Sequence, residues 1–142
     1  MTKSAVRGNI VSGLQVCHDS VCWDIGCGTG SVSIEMAFRC PDGNVFAFDK
    51  NPNAAELTVR NARKFGCDNI IANEGICPEI LKNASAPDKV FIGGSAGNMV
   101  EILECAYQKN KSADITVSAV SLETLEQAIE AFKRFGKECS VM

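Results

Sequence analysis

Apolar residues along this chain recur in two alternating patterns. Val6, Ile10, Val11 and Leu14 are spaced three and four apart, which predicts an amphipathic helix. Residues 21–27 follow as a short run rich in apolar and β-branched side chains, closed by glycines, and predict a buried strand. The helical period returns over 31–40, and Pro41-Asp42-Gly43-Asn44 reads as a turn. A second strand over 45–48 is closed by Asp49. Asn51-Pro52 then supplies a helix cap with proline in the first turn, and Gly66 a stop.

The alternation continues to the end of the chain. It predicts a third strand over 69–73, a short helix over 78–83, and a fourth strand over 89–92 that runs into Gly93-Gly94. Met99, Ile102, Leu103 and Ala106 share one face of a helix over 98–110. A fifth strand is predicted over 115–120. Ser121 caps a helix over 122–135 that Gly136 ends, and 137–142 reads as the start of a sixth strand. Strands alternating with helices predict an α/β fold with a doubly wound, mostly parallel sheet covered on both faces. No repeat, low-complexity tract or linker interrupts residues 1–142, which read as one domain.

Composition narrows the function classes. The 46% apolar and 22% charged content is that of a soluble globular core. A net charge of −3 argues against a nucleic-acid binder that relies on global charge and leaves a local basic patch as the alternative. No apolar run approaches the ~20 residues of a membrane span, and the N-terminus lacks a signal-peptide stretch, so the expected location is the cytoplasm. Eight cysteines form no Cys-x-x-Cys pair, and His18 is the only histidine. No metal site is expected; the thiols read as reduced and mostly buried.

The candidate chemistry lies in Trp23-Asp24-Ile25-Gly26-Cys27-Gly28-Thr29-Gly30, a predicted strand running into a glycine turn that opens a helix. Glycines let the backbone turn tightly and approach a ligand, and free amides at the helix start face it. In open α/β sheets ligands bind beyond the carboxyl ends of the strands. The turn is G-x-G-x-G, one residue shorter than the dinucleotide fingerprint G-x-G-x-x-G, which speaks against a nicotinamide-binding oxidoreductase. A carboxylate at Asp24 suits a ligand with an amino group. S-adenosylmethionine has an ammonium for Asp24 to balance, directly or through water, and a ribose diol for Asp49. The alternative for Asp24 is a strand-end carboxylate that only caps the turn.

At this point the chain resembles the cobalamin-biosynthesis precorrin C15-methyltransferase (decarboxylating) family, which includes the C-terminal domain of precorrin-6Y C5,15-methyltransferase. The resemblance covers residues 2–136. It rests on Asp24-Ile25-Gly26-Cys27-Gly28-Thr29-Gly30-Ser31-Val32-Ser33-Ile34-Glu35, Asn51-Pro52, Glu74-Gly75 followed by Cys77-Pro78, and Phe91-Ile92-Gly93-Gly94-Ser95. The last block is the most particular. The resemblance implies a Rossmann-like class I S-adenosylmethionine-dependent methyltransferase that methylates carbon 15 of a precorrin-6B or cobalt-precorrin-6B type tetrapyrrole and decarboxylates its ring-C acetate. Such sheets close with two further strands, one antiparallel, so the C-terminal strands read as truncated. Homo-oligomer formation, as a tetramer, and cooperation with a C5-methyltransferase domain or protein are also implied.

Under this resemblance Asp24, Gly26, Cys27, Gly28, Thr29, Gly30, Asp49 and Lys50 line the cofactor pocket, with Glu74, Gly75 and Ile76 near the adenosine. Ile76 departs from the acidic or polar residue common there, so adenine would be met by backbone and apolar packing. Gly93, Gly94 and Ser95 face the substrate. That loop carries no acid or base, and none is required, because an electron-rich macrocycle supplies its own electrons for carbon methylation and accepts those released on decarboxylation. Its backbone amides and hydroxyl would receive substrate carboxylates; the alternative is a tight turn that merely allows packing. No catalytic residue is assigned.

Weaker signals remain. Cys27, near a helix start, is expected to be oxidation-prone without a nucleophilic role. Trp23 and Phe65 read as core, and Arg60, Arg63 and Lys64 as a solvated helix face. Lys3 and Arg7 are candidates for the mouth of the site. The rivals are a methyltransferase acting on RNA or protein, which would show a basic surface or an acceptor motif after strand four, and a non-catalytic cofactor-binding module.

Overall fold

Five strands, β1 (Val21–Ile25), β2 (Asn44–Asp49), β3 (Ile70–Glu74), β4 (Lys89–Ile92) and β5 (Asp114–Val117), pair in parallel in the order β3-β2-β1-β4-β5. The computed structural model describes residues 4–94 and 97–140. Connections are made by α1 (Ser4–Leu14), α2 (Ser31–Arg39), α3 (Pro52–Lys64), a single 3₁₀ turn Glu79–Leu81, α4 (Met99–Lys109) and α5 (Leu122–Arg134). Among the described residues no helix is long and apolar enough to cross a membrane.

β1 is central, and its side chains alternate between two cores. Trp23 and Ile25 point into one with Phe48, Val90 and Ile92, closed by Ile102, Leu103 and Ala106 of α4 and Ala128, Ala131 and Phe132 of α5. The Trp23 ring meets Phe48 edge-on at 5.8 Å, and its indole N–H donates to the Ser85 carbonyl at 3.0 Å. Cys22 points the other way, into a core with Val45, Phe91, Ile10, Val11 and Leu14 of α1 and Val32, Met36 and Ala37 of α2. Asp24 shares that face by the same two-residue period, and so lies under α2.

Caps follow the sequence pattern. The Asn51 side chain accepts from the Asn53 N–H at 3.0 Å, and Ser121 Oγ accepts from the Thr124 N–H at 3.1 Å, each satisfying a helix-start donor. Asn69 Nδ2 donates to the Ala37 carbonyl at 3.2 Å and the Cys40 carbonyl at 2.9 Å, closing the end of α2 from the start of β3.

Several expectations are corrected. β5 stops at Val117 instead of 120, because the Ser118 N–H bonds the Ile92 carbonyl, the last that β4 offers; Val120 beyond it is 98% exposed. Phe65 is 54% exposed at the C-terminal cap of α3, with Lys64 Nζ 5.9 Å from its ring centre. Lys137 to Ser140 form no strand; the last two residues of that expected element lie outside the described ones. Of the cysteines, Cys22, Cys27 and Cys40 are buried, Cys67, Cys77 and Cys105 half-buried, Cys17 and Cys139 exposed, and all are free thiols. Arg60, Arg63 and Lys64 are exposed, as a solvated face requires, with Arg60 paired to Glu56 at 3.7 Å.

Asn69→Ala strips both carbonyls at the end of α2 of their side-chain partner. The expected cost is about 1–2 kcal/mol, read as a lower urea midpoint with unchanged m-value.

Candidate active site

Four loops meet beyond the carboxyl ends of the strands, and backbone hydrogen bonds lace them together. The Gly26 and Cys27 N–H groups both donate to the Phe48 carbonyl, at 2.8 and 3.0 Å, tying the turn after β1 to β2. The Gly93 and Gly94 N–H groups both donate to the Ile25 carbonyl, at 2.8 and 3.3 Å, tying the turn after β4 to β1. The Gly75 N–H donates to the Asp49 carbonyl at 2.9 Å, and Asn98 Nδ2 to the Cys77 carbonyl at 2.9 Å. The loops after β3 and β4 are thereby joined as well.

Glycine is required here at two positions for different reasons. Gly26 has φ +76°, and a Cβ on it would lie 2.7 Å from the Gly94 nitrogen, so the two turns touch backbone to backbone. Gly28 has φ +56°, and a Cβ there would meet no atom within 4 Å. The first glycine closes a contact; the second leaves the approach to the turn open.

The turn is also held from behind. Thr58, buried on α3, donates from Oγ1 to the Gly28 carbonyl at 3.3 Å and lies 3.4 Å from Cys27 Sγ. Asn61 Nδ2 donates to the Thr29 carbonyl at 2.9 Å. With these carbonyls bound to α3, the turn cannot rotate without breaking them. Sequence reasoning missed both residues: the fold brings them about thirty positions back to the turn, and no local pattern marks them.

Asp49 has a double task. Its Oδ2 accepts from the Gly28 N–H and its Oδ1 from the Asn51 N–H, each at 3.0 Å, so it helps fix the turn. A carboxylate offers about four lone-pair directions, which leaves acceptor capacity for a hydroxyl pair such as a ribose diol. Lys50, Glu74 and Ile76 are exposed, and Gly75 is half-buried, around the same end of β2 and β3. Gly93 and Gly94 are exposed, but both of their N–H groups are spent on the Ile25 carbonyl, which corrects the expectation that these amides are free to receive carboxylates. Ser95 and Lys3 lie outside the described residues. Arg7 is half-buried on α1.

Asp24 is the most unusual group. Its side chain is nearly wholly enclosed, its Oδ2 accepts from Ser33 Oγ at 2.6 Å, and its Oδ1 has no hydrogen-bond partner among the described residues. Burial pushes its carboxyl up from the ordinary 3.8 to about 6, with Asp49 adding to the rise and Ser33 opposing it. A buried carboxylate oxygen without a partner is costly, and is retained where a ligand or ordered water meets it. This orphan acceptor and the open side of Gly28 fit an ammonium-bearing ligand such as S-adenosylmethionine. Cys27 corrects an expectation: burial pushes its thiol up to about 12, so it is neither a thiolate nor oxidation-prone.

Other features fall elsewhere. Cavities of about 360 and 390 Å³ lie around Tyr107 and Lys137, the first extending beside the start of β5, and share no residue with the glycine turns. Among the described residues no group of three or more His, Cys, Asp or Glu is placed to hold a metal ion.

The raised Asp24 carboxyl has a measurable cost. A group whose folded pKa exceeds its unfolded value favours folding when protonated, so the penalty is absent below about pH 4 and complete above about pH 6, on the order of 3 kcal/mol. Asp24→Asn removes the charge but leaves an amide in place of the orphan oxygen. It is expected to stabilise the ligand-free chain by about 1–2 kcal/mol at pH 7.5, with the gain vanishing towards pH 4. Thermal unfolding at the two pH values checks this.

Comparison with known proteins agrees with this geometry. A family model described as precorrin methyltransferase domain matches residues 1–141. A Pyrobaculum calidifontis protein named probable cobalt-precorrin-6B C(15)-methyltransferase (decarboxylating) is 37% identical, over 99% of this chain and 73% of its own. The crystal structure of precorrin-6Y C5,15-methyltransferase from Geobacter metallireducens superposes with TM-score 0.92 at 39% identity, covering 96% of this chain and 73% of that one. The Methanobacterium thermoautotrophicum structure titled precorrin 8W decarboxylase superposes with TM-score 0.90 at 35% identity, covering 96% and 73%. The Rossmann-like fold is shared with solved S-adenosylmethionine-dependent methyltransferases, and the chain belongs to the precorrin methyltransferase family.

Proposed function

We propose that this chain is an S-adenosylmethionine-dependent C-methyltransferase that methylates carbon 15 of a precorrin-6B or cobalt-precorrin-6B type tetrapyrrole and decarboxylates its ring-C acetate. The acceptor is taken from the names its relatives carry. The observation that carries the reading is the backbone contact between Gly26 and Gly94, which sets the loop after β4 directly against the glycine turn after β1. A methyl acceptor held by the first loop is thereby presented to a donor held by the second.

S-adenosylmethionine, when bound, supplies an electrophilic methyl group. The chain's own residues do the holding. Asp24 balances the ammonium, Asp49 accepts from the ribose hydroxyls, and the turn from Gly26 to Gly30 leaves room through Gly28. Lys50, Glu74, Gly75 and Ile76 border the adenosine, where exposed Ile76 offers an apolar surface to the base. On the substrate side Gly93 and Gly94 form the open face against which the macrocycle lies, their N–H groups being held by the Ile25 carbonyl, and the Ser95 hydroxyl is the group that receives a carboxylate. No protein base is needed, since the carbon nucleophile draws on the conjugated ring. On decarboxylation the carbon–carboxylate bond breaks, carbon dioxide leaves, and the electron pair stays in that ring. The protein's part is orientation and exclusion of water. Assembly as a homo-oligomer, cooperation with a C5-methyltransferase domain or protein, and a cytoplasmic location belong to the same proposal and are supported by the resemblance.

Mass spectrometry of a precorrin-6B type substrate, incubated with the chain and S-adenosylmethionine with and without cobalt, tests the reaction. The expected product has gained one methyl group and lost one carbon dioxide. An unchanged substrate alongside retained S-adenosylhomocysteine binding would point to another acceptor. Gly26→Ala forces a Cβ into the Gly94 backbone and is expected to weaken S-adenosylhomocysteine at least tenfold by calorimetry. Gly94→Ala meets only Gly26 Cα, at 4.0 Å, and is expected to leave that affinity within about twofold while reducing turnover.

A further inference from the structure

Ser33 has a residue type its position does not ask for. It lies in the first turn of α2 with no solvent exposure, among Val32, Ile34 and Met36, where the amphipathic pattern is apolar. A buried hydroxyl in such a place costs stability unless it is hydrogen-bonded. Its Oγ donates to Asp24 Oδ2 at 2.6 Å, the short distance of a bond to a charged acceptor. The other Asp24 oxygen has no protein partner among the described residues. One oxygen is thus tied to a helix while the other keeps its full acceptor capacity.

We propose that Ser33 is a positioning residue for cofactor binding, whose hydroxyl holds the Asp24 carboxylate in the single orientation that presents Oδ1 to the ammonium of the methyl donor. The proposal rests on the reading of Asp24 given above. The bond also bears on charge. The ionisable groups facing Asp24 among the described residues are Asp49 at the end of β2, whose like charge raises its pKa, and Cys27 in the turn, which burial keeps as a neutral thiol. The strand neighbours Ala47 on β2 and Phe91 on β4 carry no charge. The hydroxyl and backbone N–H of Ser33 oppose burial and Asp49 together. Removing the hydroxyl therefore moves the Asp24 carboxyl further up and leaves its second oxygen free to turn.

Calorimetry with two ligands across pH 5.5 to 8 tests this on the full chain. S-adenosylhomocysteine carries the ammonium, and 5′-methylthioadenosine lacks the amino-acid portion. Ser33→Ala is expected to weaken S-adenosylhomocysteine about tenfold at pH 6.5 and to raise by about one unit the pH below which its affinity falls. Methylthioadenosine should stay within about twofold of the parent chain. Equal weakening of both ligands at every pH would make Ser33 a support of the turn alone and overturn the proposal. An unchanged Ser33→Ala profile, with Asp24→Asn weakening S-adenosylhomocysteine, would overturn it while leaving the reading of Asp24 intact. If Asp24→Asn leaves S-adenosylhomocysteine binding untouched, that reading fails, and the role of Ser33 with it.

Discussion

Everything at the carboxyl end of this sheet depends on how closely β1 is flanked. The Ile25 carbonyl, the last of β1, accepts from both Gly93 and Gly94, while Gly26 and Cys27 turn back to bond the Phe48 carbonyl of β2. The chain leaving β1 is held between two neighbours, and the approach to Gly94 leaves no room for a Cβ on Gly26. A turn clamped in this way exposes backbone instead of side chains. The N–H groups of Gly26, Cys27 and Gly28 are spent on Phe48 and Asp49, and Asp24, buried one residue before the end of β1, keeps an unpartnered oxygen.

Those two carboxylates are treated differently, and the contrast divides their roles. Asp49 is half-exposed and spends both oxygens on backbone N–H groups, so it serves structure and retains only spare acceptor capacity. Asp24 is enclosed, with one oxygen satisfied by Ser33 and one unsatisfied, which destabilises the folded chain unless something else meets it. Stability lost at a site in the absence of ligand is recovered on binding, and functional sites characteristically hold such groups. Thr58 and Asn61 supply the rigidity that lets the turn keep its shape despite that cost.

The loop after β4 completes the picture. It carries Gly93 and Gly94 and no acid or base. Under the proposed reaction the electrons come from the conjugated ring of the substrate, so the lack of an acid or base in this loop is no obstacle. The loop after β4 is anchored on the Ile25 carbonyl, one residue before Gly26, and the turn after β1 on the Phe48 carbonyl.

Much of this was legible along the chain. The alternation of helical and strand periods, the glycine turn after β1, Asp24 before it and Asp49 at the end of β2 are written in neighbouring residues, because burial on a sheet or helix face repeats locally. The tertiary structure decided what joins residues far apart. It paired Ser33 with Asp24 and Thr58 with Gly28, set Gly26 against Gly94, exposed Phe65, and ended β5 where β4 ran out of carbonyls. Which side chain meets which across a layer depends on how α2, α3 and the strands pack, and a one-dimensional pattern records that a position is buried without recording what it is buried against.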